Sequence, residues 1–281
     1  MSDGNNVLIT GIPRSGTTLV CSILGEEIDV VAAHEPIDPS IFENEDLTLP
    51  AVAKIQTELA SFRRTIDREG LIVSKQVGGR IPSNSVSIQG EDMLRGEVTK
   101  LGLVEVTQQL SDDFVFVVKH NALFTSLLPA LSERFPVFAI VRNPMAVLHS
   151  WLSVDFPVNR GRLPMGERFD PELHEKLNLD SDVLSRQLTI LMWFFEKFRL
   201  NLDRERIIRY EDVISTQGRV LSPILGRSID SRTLLREQSH RSNLGRERSA
   251  IIRDALLAKP EIYDGFFSTS DINNLFESEF V

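Results

Sequence analysis

The feature that most constrains this chain is a turn near its start. Val7-Leu8-Ile9-Thr10 is an apolar run of strand length, Thr17 to Leu24 reads as a helix, and Gly11-Ile12-Pro13-Arg14-Ser15-Gly16-Thr17-Thr18 joins them. Glycines at 11 and 16 permit tight backbone geometry, and the free N–H groups of a new helix then point at one spot. The hydroxyls of Ser15, Thr17 and Thr18 add donors, and Arg14 adds a fixed cation. Strand, glycine turn and helix together describe a cradle for a phosphate-like anion.

The spacing of the two glycines matches the nucleotide loop G-x-x-x-x-G-K-[ST], except that Thr17 stands where that motif requires lysine. The lysine reaches the β- and γ-phosphates, so its absence counts against ATP or GTP hydrolysis. The apolar runs at 114–118 and 137–141 end at Lys119 and Arg142, not at a magnesium-binding aspartate. The chain is expected to need no metal. A small-molecule kinase using ATP and a non-catalytic nucleotide-binding module are the alternative readings of the same loop.

Strand-length apolar runs alternate with longer helical patterns, which predicts an α/β fold of the P-loop-like, three-layer kind: a central, mainly parallel sheet flanked by helices. The remaining strands are expected at Phe114–Lys119, Val137–Arg142 and Arg206–Tyr210. Helices are expected at Ala51–Asp67, Ala122–Arg134, Leu184–Leu202 and from Pro144 through Trp151, where the proline suits the first helical position. Gln76 to Glu91, with three glycines, reads as an irregular loop or short hairpin, and Asp155 to Leu179, with three prolines, as the least regular stretch. A single domain over 1–281 is expected, with insertions at about 76–96 and 155–180 acting as lids on the acceptor side.

Charge narrows the partners. Lys plus Arg number 31 against 40 Asp plus Glu, a formal net charge of −9. A general nucleic-acid or anionic-membrane binder would carry a broad basic face instead. The apolar runs at 114–118 and 137–141 hold five residues each and Ile190–Phe195 holds six, far short of the ~20 a membrane span needs. Cys21 is the only cysteine, so no internal disulfide or thiolate zinc site forms, and a reducing, cytoplasmic setting is expected.

A second anion site is foreshadowed after the third run. Arg142 leaves the strand, and Ser150 follows eight positions later, two turns into the helix that Pro144 opens. An arginine fork beside a hydroxyl suits a terminal phosphate.

With both sites in hand, the chain resembles the sulfotransferases that use PAPS (3′-phosphoadenosine 5′-phosphosulfate). Pro13-Arg14-Ser15-Gly16-Thr17-Thr18 is similar to the family's 5′-phosphosulfate loop, in the arginine form of tyrosylprotein and many bacterial sulfotransferases. Arg142 and Ser150 match its 3′-phosphate motif, and Arg209-Tyr210-Glu211-Asp212 is similar to its late strand ending in Tyr-Glu-Asp, whose tyrosine lies near the adenine. The motifs span residues 7 to about 213. The resemblance implies PAPS as co-substrate, sulfuryl transfer to a hydroxyl or amine, and release of 3′,5′-phosphoadenosine. The family's C-terminal Arg-Lys-Gly segment is not present; Arg241, Arg246 and Arg248 are the substitutes on offer.

The same resemblance points to two candidate bases. Glu35 lies 21 positions after Arg14, as the catalytic glutamate does in tyrosylprotein sulfotransferases; beside a polyanionic co-substrate its pKa is expected to rise. His120 resembles the catalytic histidine of the cytosolic enzymes in location, with Lys119 fitting the lysine that contacts the transferring or leaving oxygens. His34 and His149 are weaker candidates. For the acceptor, the basic cluster Asn159-Arg160-Gly161-Arg162 and the aromatic side chains of Trp151 and Phe156 are nominated. A sugar, lipid, phenol, polyketide or peptide tyrosine all remain open.

Overall fold

The computed structural model describes residues 5–43, 47–86, 94–229, 234–236 and 244–280. Five apolar runs pair into one parallel sheet: β1 (Asn6–Gly11), β2 (Val30–His34), β5 (Val115–Lys119), β6 (Val137–Val141) and β7 (Ile207–Arg209), in the order β2-β5-β1-β6-β7. Every neighbouring pair in it is parallel. β1 is central and wholly buried. Because side chains alternate across a strand, Val7 and Ile9 face one core while Leu8 faces the other.

The first core is closed by α1 (Thr17–Gly25) through Val20, Cys21, Ile23 and Leu24, and by α9 (Tyr210–Ser215) through Val213. The second is closed by α2 (Thr48–Glu69), α5 (Pro144–Leu152) and α8 (Val183–Asn201), whose Phe194, Phe195 and Phe198 are fully buried. Helices on both faces explain why these strands read as continuous apolar runs without polar alternation. The three-layer α/β expectation is met.

Several local expectations need correction. β2 was not foreseen: Val-Val-Ala-Ala-His is short, and alanine has little strand preference of its own. An antiparallel hairpin, β3 (Leu71–Gln76) with β4 (Lys100–Glu105), also escaped notice, and the expected loop begins only after its first strand. The helix expected over Ala122–Arg134 is two: α3 (Ala122–Ser126) and α4 (Leu128–Ser132), jointed at Leu127 just before Pro129, which lacks an N–H to continue the ladder. The stretch Asp155–Leu179 is more ordered than expected. Pro164 and Pro171 open α6 (Pro164–Phe169) and α7 (Pro171–Leu179), so prolines that read as breakers act as helix starters. Residues 87–93 of the first expected insertion lie outside the described residues.

After α9 the chain continues through the short α10 (Ser222–Leu225) to α11 (Arg246–Leu257) and α12 (Thr269–Glu279), which pack against α5 and each other. No described helix is long and apolar enough to cross a membrane.

Where β1 enters the turn, a Cβ on Gly11 would lie 2.4 Å from the Ile140 carbonyl oxygen and 2.6 Å from Thr17 Cγ2. A backbone oxygen cannot yield as a flexible side chain can. Gly11→Ala is expected to cost at least about 3 kcal/mol, at the upper end of ordinary point substitutions. The urea midpoints of the two proteins measure it.

Candidate active site

All the strands of the parallel sheet end on one edge, and a cleft of about 1530 Å³ opens there, where open parallel sheets present their ligand sites. The turn after β1 forms its floor. Arg14 takes a left-handed backbone conformation (φ 73°), unusual for a residue with a side chain, and Gly16 follows at φ 91°. Two bonds hold that shape: the Ser15 hydroxyl donates to the Ile140 carbonyl at 2.8 Å, and the Trp151 indole donates to the Pro13 carbonyl at 2.8 Å. Ser15 was expected to donate into the cradle; its hydroxyl is instead spent fastening the turn to β6, and the residue is fully buried. Trp151 likewise belongs to the core.

Gly16 is required by close approach. A Cβ there would sit 2.4 Å from the ring of Tyr210, and the Arg142 guanidinium lies over that ring with its carbon 4.4 Å from the centroid. Tyr210 thus joins the glycine turn to the β6 arginine. No side chain caps α1 at Gly16, which leaves the first N–H groups of the helix, at Thr17 and Thr18, for a ligand.

Arg142 and Ser150 line the same cleft, and Arg14 bonds both. Arg14 Nε donates to Ser150 Oγ at 3.1 Å, and Arg142 reaches the Arg14 carbonyl at 3.5 Å. Asn84 Oδ1 lies 3.4 Å from both terminal nitrogens of Arg14. A third cation, Arg95, lines the same cleft. Burial, then the charges of Arg95 and Arg142, bring the Arg14 pKa down to about 10. Among the described residues none of these three arginines is ion-paired to a carboxylate.

The same cleft holds a carboxylate. Glu35 follows β2 with φ 47°, its N–H bonded to the Lys119 carbonyl at 2.8 Å, so the registers of β2 and β5 place both residues side by side. Its Oε1 is 2.7 Å from Lys119 Nζ and its Oε2 is 2.9 Å from Lys75 Nζ, with the Glu35 side chain 22% exposed and Lys119 only 2%. Burial by itself would raise the carboxyl pKa, but the two ammonium groups overcome it and hold the group well below the usual carboxylate range. The raised value expected from the sequence refers to a bound polyanion; without one the two lysines set the direction. Lys75, on β3, is a residue that sequence reading missed. It also bonds Glu97 Oε1 at 2.7 Å, so it is shared between two carboxylates.

The histidines divide differently. His120 Nε2 accepts the Ile37 N–H at 3.1 Å, and burial pushes its pKa down to about 3. Its basic nitrogen is occupied and the ring stays neutral. His34 is buried too and is likewise lowered to about 3. His149 pairs with Glu279 at 2.9 Å. Of the C-terminal arginines, Arg248 lines the cleft and Arg246 pairs with Glu277 at 3.9 Å, while Arg241 lies outside the described residues. Arg160 is exposed and paired with Asp155 at 2.7 Å; Arg162 lines the cleft but is bonded to Glu167.

No family model and no curated protein matches the sequence. Among solved structures the chain aligns with a sulfotransferase from Alicyclobacillus acidocaldarius at 12% identity, covering 92% of this chain and 96% of that one, with a TM-score of 0.39. It aligns with a sulfotransferase from Mycobacterium avium at 13% identity (99% and 76% coverage, TM-score 0.37). A third, a sulfotransferase from Mycobacterium tuberculosis, aligns at 11% identity (100% and 77%, TM-score 0.37). Likenesses this distant assign neither activity nor ligand, so the chemistry rests on the residues themselves.

Two outcomes follow from the charges. The unfolded chain protonates each histidine below about pH 6.5, whereas folded His34 and His120 resist to about 3. Stability present at neutral pH is thus lost as pH falls from about 6.5, by up to about 1.4 kcal/mol per unit per histidine. Urea midpoints at pH 7.5 and 5.5 test this; equal midpoints would contradict it. Lys75→Met removes one of the two cations on Glu35, and carbon-detected NMR should find the carboxyl titrating at higher pH than in the wild type.

Proposed function

We propose that this chain is a sulfotransferase, moving the sulfuryl group of PAPS to a hydroxyl or amine of an acceptor and releasing 3′,5′-phosphoadenosine. One observation carries the reading. Three arginines without a carboxylate partner among the described residues line one cleft with Ser150, which Arg14 bonds, and the same cleft holds a carboxylate ionised between two lysines. Uncompensated, half-buried cations suit a ligand with at least two phosphate groups.

The residues divide the work. The N–H groups at the start of α1, with Arg14, Gly16, Thr17 and Thr18, take the 5′ end. Arg142 and Ser150 take the 3′-phosphate, and Tyr210 lies against the nucleoside. PAPS, once bound, supplies a sulfuryl group already activated by its phosphate leaving group. Glu35, ionised beforehand, accepts the acceptor's proton as the new S–O (or S–N) bond forms and the bond to phosphate breaks. The Lys119 ammonium offsets the negative charge that develops on the departing oxygens. An anion drawn to Lys75 and Lys119 also shares their attraction, which raises the proton affinity of Glu35 when a base is needed. His120 is the poorer base, since its Nε2 lone pair is engaged by the Ile37 N–H. Strand ends carrying Lys119 and Arg142 lack the aspartate that a magnesium-dependent kinase uses there.

Acceptor recognition falls to the insertions at about 76–96 and 155–180. Phe156 and Met165 from the second line the cleft. The single cysteine, buried and free, suits a cytoplasmic setting.

Transfer of radiolabelled sulfate from PAPS to a mixed panel of alcohols, phenols, sugars and amines tests the reading. Glu35→Gln is expected to slow turnover by ~10²–10⁴-fold, the range of a positioned base, and His120→Asn far less. Near-normal turnover in Glu35→Gln, or tighter binding of ATP than of 3′,5′-phosphoadenosine, would contradict it.

A further inference from the structure

We infer that Arg95 is a third ligand for the 3′-phosphate, delivered by the excursion between β3 and β4. The inference rests on the sulfotransferase reading but concerns a residue outside every motif that led to it.

Arg95 is stitched to the turn that follows α5. Its N–H donates to the Ser153 carbonyl at 3.0 Å, and the Asp155 N–H donates to its own carbonyl at 3.1 Å, forming one parallel bridge with Val154. The guanidinium bonds Ser153 Oγ, and that hydroxyl donates to the Ser150 carbonyl at 2.7 Å. Arg95, Ser153 and Ser150 are therefore one connected unit at the C-terminal end of α5, and Ser150 Oγ is the acceptor for Arg14 Nε. The main-chain bonds leave little freedom in where residue 95 begins, and its guanidinium is held on Ser153, at the rim of the cleft that it lines.

Electrostatics agrees with the geometry. Burial lowers the Arg95 pKa, and the charge of Arg142 lowers it further. Arg14 is depressed by both neighbours. Three like charges held this close repel one another, and no carboxylate among the described residues pairs with Arg95. A dianion among them converts that repulsion into attraction. Arg142, Ser150 and Arg95 line one cleft from β6, α5 and the excursion, which offers a phosphate donors from three separate elements. The 5′ end has its own donors at the start of α1, so the natural share for Arg95 is the 3′-phosphate.

Calorimetry with 3′,5′-phosphoadenosine and 5′-AMP, which lacks the 3′-phosphate, separates the possibilities. Arg95→Gln is expected to weaken 3′,5′-phosphoadenosine about 10- to 30-fold, the scale of a lost charge-assisted bond, and to leave 5′-AMP within about twofold. Arg95→Lys, keeping the charge but not the fork, should fall between. Ser153→Ala, which frees the guanidinium without deleting it, should cost a few-fold and guards against a folding defect in Arg95→Gln, as does the melting temperature of each free protein. Unchanged binding of 3′,5′-phosphoadenosine in Arg95→Gln, or equal loss for both nucleotides, overturns the inference alone. A wild type that prefers 5′-AMP overturns the sulfotransferase reading, and the inference with it.

Discussion

Repulsion among Arg14, Arg95 and Arg142 is the constraint around which this site is built. A chain with a formal charge of −9 has acidic side chains to spare, yet among its described residues none neutralises these three. Half-buried cations left without counter-charge cost free energy, and the fold accepts that cost by fixing each one in place. Arg14 sits in a turn pinned by Ser15 and Trp151, Arg142 follows a central strand and rests on Tyr210, and Arg95 is bridged to Val154. An anion of the proposed kind would relieve the repulsion in a site already assembled.

Strain is concentrated in the same places. Among the described residues only four other than glycine have positive φ, and Arg14 and Glu35 are two of them. Each such conformation costs on the order of 1–3 kcal/mol and persists only where the surroundings over-determine it. Here the parallel sheet does so. The pairing of β2 with β5 sets Glu35 beside Lys119, and the pairing of β1 with β6 sets the turn against Ile140. The carboxylate and the arginines thereby occupy one cleft from separate rigid elements.

Much of this was legible in the residues, for a physical reason. The turn after β1, the arginine after β6 and the serine two turns into α5 are local patterns, in which spacing along the chain dictates spacing in the fold. Glu35 and Lys119 were legible through a resemblance, whereas the second cation on that carboxylate, Lys75, comes from a distant hairpin and was not. Arg95 and Asn84 were invisible for the same reason: they reach the site through an excursion whose strands, short and mixed in polarity, carry no clear period. Ser15 misled, since a hydroxyl at a helix start reads as a donor to ligand until its partner, the Ile140 carbonyl, is known. The prolines at 164 and 171 misled because a helix start and a loop use proline alike.

The crystal structure of the complex with 3′,5′-phosphoadenosine tests the central claim most directly. The 3′-phosphate should lie within hydrogen-bond distance of Arg142 and Ser150, with the 5′-phosphate against the N–H groups that begin α1. A nucleotide bound with Arg142 and Ser150 remote from both phosphates would contradict the account.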